Sequence, residues 1–94
     1  MKNEMLVCLM AHDKSGALPI RKENREAHLA YLESTGCVTL AGPMKNAQGD
    51  MCGSMIVLDV PDLAAAENWA ANDPYAKAGL FENVTLREWV RVVG

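Results

Sequence analysis

Two segments of this chain, Met5–Ala11 and Gly53–Val60, are short and nearly unbroken apolar runs. Their length and their flanking turn residues mark them as strands. Successive side chains of a strand point to opposite faces. Met5, Val7 and Leu9 therefore lie on one side of the first run, and Leu6, Cys8 and Met10 on the other. Met55, Ile56, Val57 and Leu58 make the second run equally apolar on both sides. A sheet built on such strands needs cover on both faces, and an uncovered apolar face of that size is a liability in water.

The remaining punctuation sets out the other elements. Pro19 opens a helical stretch over about 20–34, closed by Gly36, a residue suited to a helix C-terminus. Cys37–Ala41 reads as a second strand, broken by Gly42 and Pro43, and Lys45–Asp50 as a polar hairpin loop. Pro61 and Asp62 start a second helix, with Asp62 placed to accept from the free backbone N–H groups and Leu63, Ala66, Trp69 and Ala70 as the packing face. A short turn at Tyr75–Gly79 leads to a fourth strand, Val84–Val93. The order β-α-β-β-α-β over a single domain, residues 1–94, predicts an α+β, ferredoxin-like sandwich: a four-stranded antiparallel sheet with two helices on one face. The fourth strand also carries apolar residues on both sides, Val84, Leu86, Val90 and Val92 against Trp89 and Val93. Burial of the open sheet face against a second copy resolves this, so the expected partner is a homodimer.

Composition narrows the function. With a net charge of −3, there is no electrostatic case for nucleic acid or an anionic membrane surface. No apolar run approaches the roughly 20 residues that span a bilayer. The first residues read as a strand rather than a signal peptide. Cys8, Cys37 and Cys52 are odd in number, lack C-x-x-C spacing and have apolar neighbours, which favours buried thiols and a reducing, cytoplasmic setting over disulfides or a metal site. Half the residues are hydrophobic but a single Phe is present, so the six Met and two Trp read as core and interface.

The chemistry gathers on the first helix. At about 100° per residue, His28 falls in the middle of the inward arc between Leu29 and Leu32 on one side and Ala27 and Tyr31 on the other. Arg21 and Arg25 lie beneath it on the same stripe, while Lys22, Glu23, Glu26, Ala30 and Glu33 take the solvated face. His28 is either a core histidine bonded to a backbone carbonyl, with the arginines curling out to water, or a base with a carboxylate in reach. Asp73 is the candidate carboxylate, since the second helix ends beside it. Its alternative role is the N-cap of a short turn begun by Pro74. Both roles fit together if one carboxylate oxygen caps and the other faces the histidine. His12 reads as an exposed loop residue.

The segments "REAHLAYLESTGCVTLAGPM", "CGSMIVLDV" and "NDPYAKAGLFENVTLREW" occur in order over nearly the whole chain. Together they resemble the YciI-like family, also called the YCII-related domain. That resemblance implies the ferredoxin-like fold, a dimer formed through the sheets, and a His-Asp pair in a proposed active-site pocket, here His28 and Asp73. It also matches Arg25, the Gly42-Pro43 step and Ser54 to the family's motifs. The implied activity is cofactor-free proton transfer, an elimination such as dehydrochlorination, or an isomerisation, on a small phenolic or lactone-like substrate. His28 would be the base and Asp73 its orienter, with Arg25 stabilising developing enolate or phenolate charge and Ser54 and Tyr75 orienting the ligand. The competing reading is a non-catalytic ligand-binding or regulatory dimerisation domain.

Overall fold

The computed structural model describes residues 5–94. Its elements are β1 (Met5–Asp13), α1 (Leu18–Glu23), α2 (Arg25–Thr35), β2 (Val38–Lys45), β3 (Met51–Val60), α3 (Leu63–Ala71), α4 (Pro74–Lys77) and β4 (Phe81–Trp89). The strands form one four-stranded sheet in the order β2-β3-β1-β4, and every neighbouring pair is antiparallel. This is the α+β, ferredoxin-like fold. The apolar runs occupy the two central strands, where both neighbours are sheet, and the outer positions go to the more polar β2 and β4.

Alternation separates the faces of the sheet. Val7, Leu9, Ala11, Ile56, Leu58 and Val60 point toward the helices and form a buried core with Ala66 and Trp69 of α3. The pairing of Leu6 with Trp89, Cys8 with Val57, Met10 with Met55 and Leu40 with Val57 puts these residues on the opposite face. Val57 is shielded there, but Leu40 is 45% and Trp89 36% exposed.

Local chemistry explains most of the boundaries. Gly36 ends α2 in the left-handed region, at φ 70°, where a glycine carries no Cβ penalty. Asp62 caps α3, its side chain accepting from the Ala65 N–H at 2.8 Å. Trp69 Nε1 donates to Thr35 Oγ1 at 3.0 Å and the Tyr31 hydroxyl donates to the Trp69 carbonyl at 2.8 Å, which ties α3 to α2.

Six expectations need correction. Gly42 and Pro43 do not end the second strand; β2 runs through them to Lys45. Because β2 is an outer strand, the ladder loses little at a residue without an N–H. The long first helix is two helices with a break at Asn24, whose φ of −105° and ψ of 9° leave the helical region and whose side-chain amide donates back to the Ile20 carbonyl. The last strand lies earlier, Phe81–Trp89; Val90, Val92 and Val93 fall beyond it and are 71–87% exposed. Leu63, expected on the packing face of α3, is 39% exposed, because it sits in the first turn where the helix has yet to reach the sheet. The three cysteines are half-buried rather than buried. His12 is exposed, but it belongs to β1 and not to a loop.

Gly53, in β3, is required by a close approach. A Cβ there would meet the Ala11 carbonyl oxygen at 2.5 Å and Met44 Cε at 2.8 Å, whereas one on Gly42 would meet nothing within 4 Å. Gly53→Ala should therefore lower unfolding stability by about 2–3 kcal/mol in urea titration, and Gly42→Ala should change it by less than about 0.5 kcal/mol. Equal midpoints for the two variants would show that β1 and β3 do not approach so closely.

Candidate functional site

Between α1–α2 and the β2–β3 side of the sheet lies a cavity of about 170 Å³. Its apolar walls are Leu29 and Leu32 of α2, Ala41, Gly42 and Pro43 of β2, and Met51 and Ile56 of β3. Arg21, Arg25, His28, Ser54 and Tyr75 supply its polar surface. All of the sequence candidates but Asp73 thus line one space. Asp73 stands behind His28, 1% exposed.

His28 Nδ1 is 2.8 Å from Asp73 Oδ1. An ionised carboxylate only accepts, so with Asp73 in that form the proton of this bond sits on Nδ1, and a neutral ring then keeps its free lone pair on Nε2. The same Oδ1 accepts from the Tyr75 N–H at 2.9 Å, capping α4. The division of labour expected from the sequence, one oxygen for each task, is therefore replaced by one oxygen for both. Asp73 Oδ2 is buried with no hydrogen-bond partner among the described residues. Nε2 is not among the sealed, unpartnered atoms, which leaves it accessible from the cavity that His28 lines.

The cap has a second effect. It begins the turn that holds Tyr75, whose ring stacks on the His28 imidazole with centroids 3.9 Å apart and planes 12° from parallel. Arg21 Cζ lies 4.8 Å from the same tyrosine ring. Tyr75 also packs edge-on against Phe81, in a small cluster with Ala17 and Leu80.

The break at Asn24 separates the two arginines. On one continuous helix Arg21 and Arg25 would share a stripe; here Arg21 is 2% exposed while Arg25 is exposed at the mouth of the cavity. Arg21 Nε and Nη2 donate to Asp13 Oδ2 and Oδ1 at 2.7 and 2.8 Å, and Nη2 also donates to Ser54 Oγ at 3.0 Å. Burial works against this cation, but the hydrogen bonds and charge of Asp13, with a smaller contribution from Tyr75, outweigh it and hold the Arg21 pKa above its ordinary value. Asp13 was not singled out from the sequence. The available signal was an acid closing an apolar strand, eight residues before an arginine on the inward helix stripe. Among the described residues, no three His, Cys, Asp or Glu side chains cluster as a metal site.

The sequence profile of the YCII-related domain matches residues 5–90. The chain belongs to the YCII-related domain family. It is 34% identical to protein YciI of Escherichia coli O6:H1, an alignment covering 94% of this chain and 99% of that one. An uncharacterized protein of Haemophilus influenzae is 30% identical at the same coverage. Among solved structures, the chain superposes with a TM-score of 0.87 on the 5-chloro-2-hydroxyhydroquinone dehydrochlorinase TftG from Burkholderia phenoliruptrix AC1100, in complex with 2,5-dihydroxybenzoquinone; the two are 32% identical, over 94% of this chain and 96% of that one.

Both tyrosines of this family member, Tyr31 and Tyr75, have raised pKa values. Burial is the main cause for each; Arg21 and Arg25 partly oppose it at Tyr75. The fold thus favours the neutral phenols. Their contribution to stability is complete below the unfolded tyrosine pKa of about 10 and is lost as pH rises through the folded values. An alkaline titration followed in the phenolate absorbance band should show no ionisation at the ordinary midpoint while far-ultraviolet circular dichroism remains native. Ionisation near the ordinary value in folded protein would contradict the burial of both rings.

Proposed function

We propose that this protein is a small-molecule lyase- or isomerase-like enzyme whose chemistry is cofactor-free proton transfer by His28. The observation that carries the proposal is the 2.8 Å contact of Asp73 Oδ1 with Nδ1, which leaves Nε2 as the basic atom on the cavity side. Asp73 holds the tautomer and favours the imidazolium formed when Nε2 takes a proton. The cavity, about 170 Å³, suits a single substituted ring, since roughly 150 Å³ holds a benzene. Similarity to a dehydrochlorinase bound to a one-ring quinone supports the same substrate size and the elimination class.

For a halogenated hydroquinone the step balances without an oxidant. His28 Nε2 takes the proton of a ring hydroxyl next to the halogenated carbon. The oxygen pair forms a carbonyl, and the ring pair displaced by it takes that proton onto the halogenated carbon. The second hydroxyl then loses its proton to water, its electrons shift through the ring, and the carbon–halogen bond breaks with its pair leaving on halide. The net change is loss of one hydrogen halide and conversion of hydroquinone to quinone.

The test is halide release, or isomerisation, from a panel of chlorinated hydroxyhydroquinones and small lactones. His28→Gln should lower kcat by about 10²–10⁴-fold. Asp73→Asn, which keeps a capping oxygen, should leave the thermal transition nearly in place while lowering kcat and altering the His28 tautomer in nitrogen NMR. Equal rates for wild type and His28→Gln would end the acid/base reading. Ligand binding without turnover across the panel would transfer the cavity to a binding domain.

The second element of the proposal is a homodimer through the sheet face of Leu6, Met10, Met55, Leu40 and Trp89. The protein should sediment as a dimer and Met10→Glu as a folded monomer. A monomeric wild type at working concentration would remove this partner.

A further inference from the structure

An acidic protein of net charge −3 lines its cavity with Arg21, Arg25 and His28 and with no carboxylate. The two arginines are not equivalent. Arg25 is exposed at the mouth and makes no hydrogen bond among the described residues. Arg21 is fixed. A guanidinium has five N–H donors. Nε and both protons of Nη2 are committed to Asp13 and Ser54. Nη1 is engaged by neither Asp13 nor Ser54 and is not among the sealed atoms; the Tyr75 hydroxyl also hydrogen-bonds the guanidinium, which still leaves Nη1 a proton for a ligand. Because Arg21 lines the cavity, its accessible corner opens there.

Ser54 extends the same surface. Its Oγ accepts from Arg21 Nη2, so its own O–H remains available as a donor, and Ser54 too lines the cavity. Two adjacent buried side chains thus offer unused donors and share a positive charge. Asp13, on the far side of the guanidinium, makes the buried charge tolerable and sets its plane through a bidentate pair. A fixed, buried, cationic set of donors suits an oxygen anion.

We infer that Arg21 Nη1 and Ser54 Oγ form an oxyanion subsite and that the ligand class is a small ring carrying an ionised hydroxyl. This deepens the acid/base reading above and rests on it for turnover, but not for binding. It moves the task of holding a phenolate or enolate from Arg25, to which sequence resemblance pointed, to Arg21. Tyr75 packs against both Arg21 and His28, which fixes the spacing between the anchored oxygen and the basic Nε2. A ring anchored by one ionised oxygen presents its other substituents to His28 in a defined register.

The probes are 2,5-dihydroxybenzoquinone, whose hydroxyls ionise at neutral pH, and its dimethyl ether, which cannot ionise. Calorimetry on the wild type should give at least about tenfold tighter binding of the anionic probe. Arg21→Lys keeps the charge and a bond to Asp13 but loses the free Nη1 donor, and should reduce that preference by about tenfold. The paired variant Asp13→Leu/Arg21→Met replaces the buried ion pair with apolar side chains; it should bind the two probes alike. Arg25→Gln should cost less than Arg21→Lys. His28→Gln should lose turnover but keep the anion preference, so a failed acid/base reading leaves this inference standing. Equal affinity of the wild type for both probes would overturn it. So would a preference that survives in both Arg21 variants, or one that Arg25→Gln alone abolishes.

Discussion

Asp73 Oδ1 accepts from His28 and from the Tyr75 N–H, and the cavity takes its shape from the second bond as much as from the first. Capping fixes where α4 begins and therefore where Tyr75 points. Tyr75 in turn is the surface on which the imidazole and the Arg21 guanidinium rest. A single acceptor thus aligns one imidazole, one aromatic ring and one cation. Its companion Oδ2 is left buried without a partner among the described residues, a position that ordinarily costs about 1–3 kcal/mol. Folding tolerates that loss at the place where the carboxylate's charge has the most to act upon.

The cavity exists because the helices cover the sheet unevenly. The core of α3, Ala66 and Trp69, closes over β1 and β3. The α1–α2 arm spans the other half and leaves space above β2. The break at Asn24 turns what would be a uniform basic stripe into two different instruments: a clamped arginine in the floor and an exposed one at the mouth.

Much of the architecture was legible because local chemistry decides it. Gly36 and Asp62 announce their helix ends with their own side chains, or the lack of one. The apolar runs of β1 and β3 belong where sheet lies on both sides, and no other placement satisfies them. What escaped the reading depends on neighbours distant in sequence. Gly42-Pro43 has the composition of a breaker, and only the outer place of β2 makes it tolerable inside a strand. β4 ends at Trp89, opposite Leu6, and leaves the apolar Val90, Val92 and Val93 outside the sheet. His28 on the inward stripe and Asp73 before Pro74 were readable from their surroundings, but their 2.8 Å contact required the packing of α2 on α4. Asp13 was passed over because an acid at a strand end looks like ordinary solvated punctuation until Arg21 is turned inward.

The proline in β2 has a further consequence. Pro43 leaves a gap in the row of donors along an outer strand, beside the cavity. A foreign strand laid on that margin would find the ladder interrupted, so this side of the sheet is a poor template for open-ended growth. One residue without an N–H thus makes an otherwise open sheet margin resistant to strand addition.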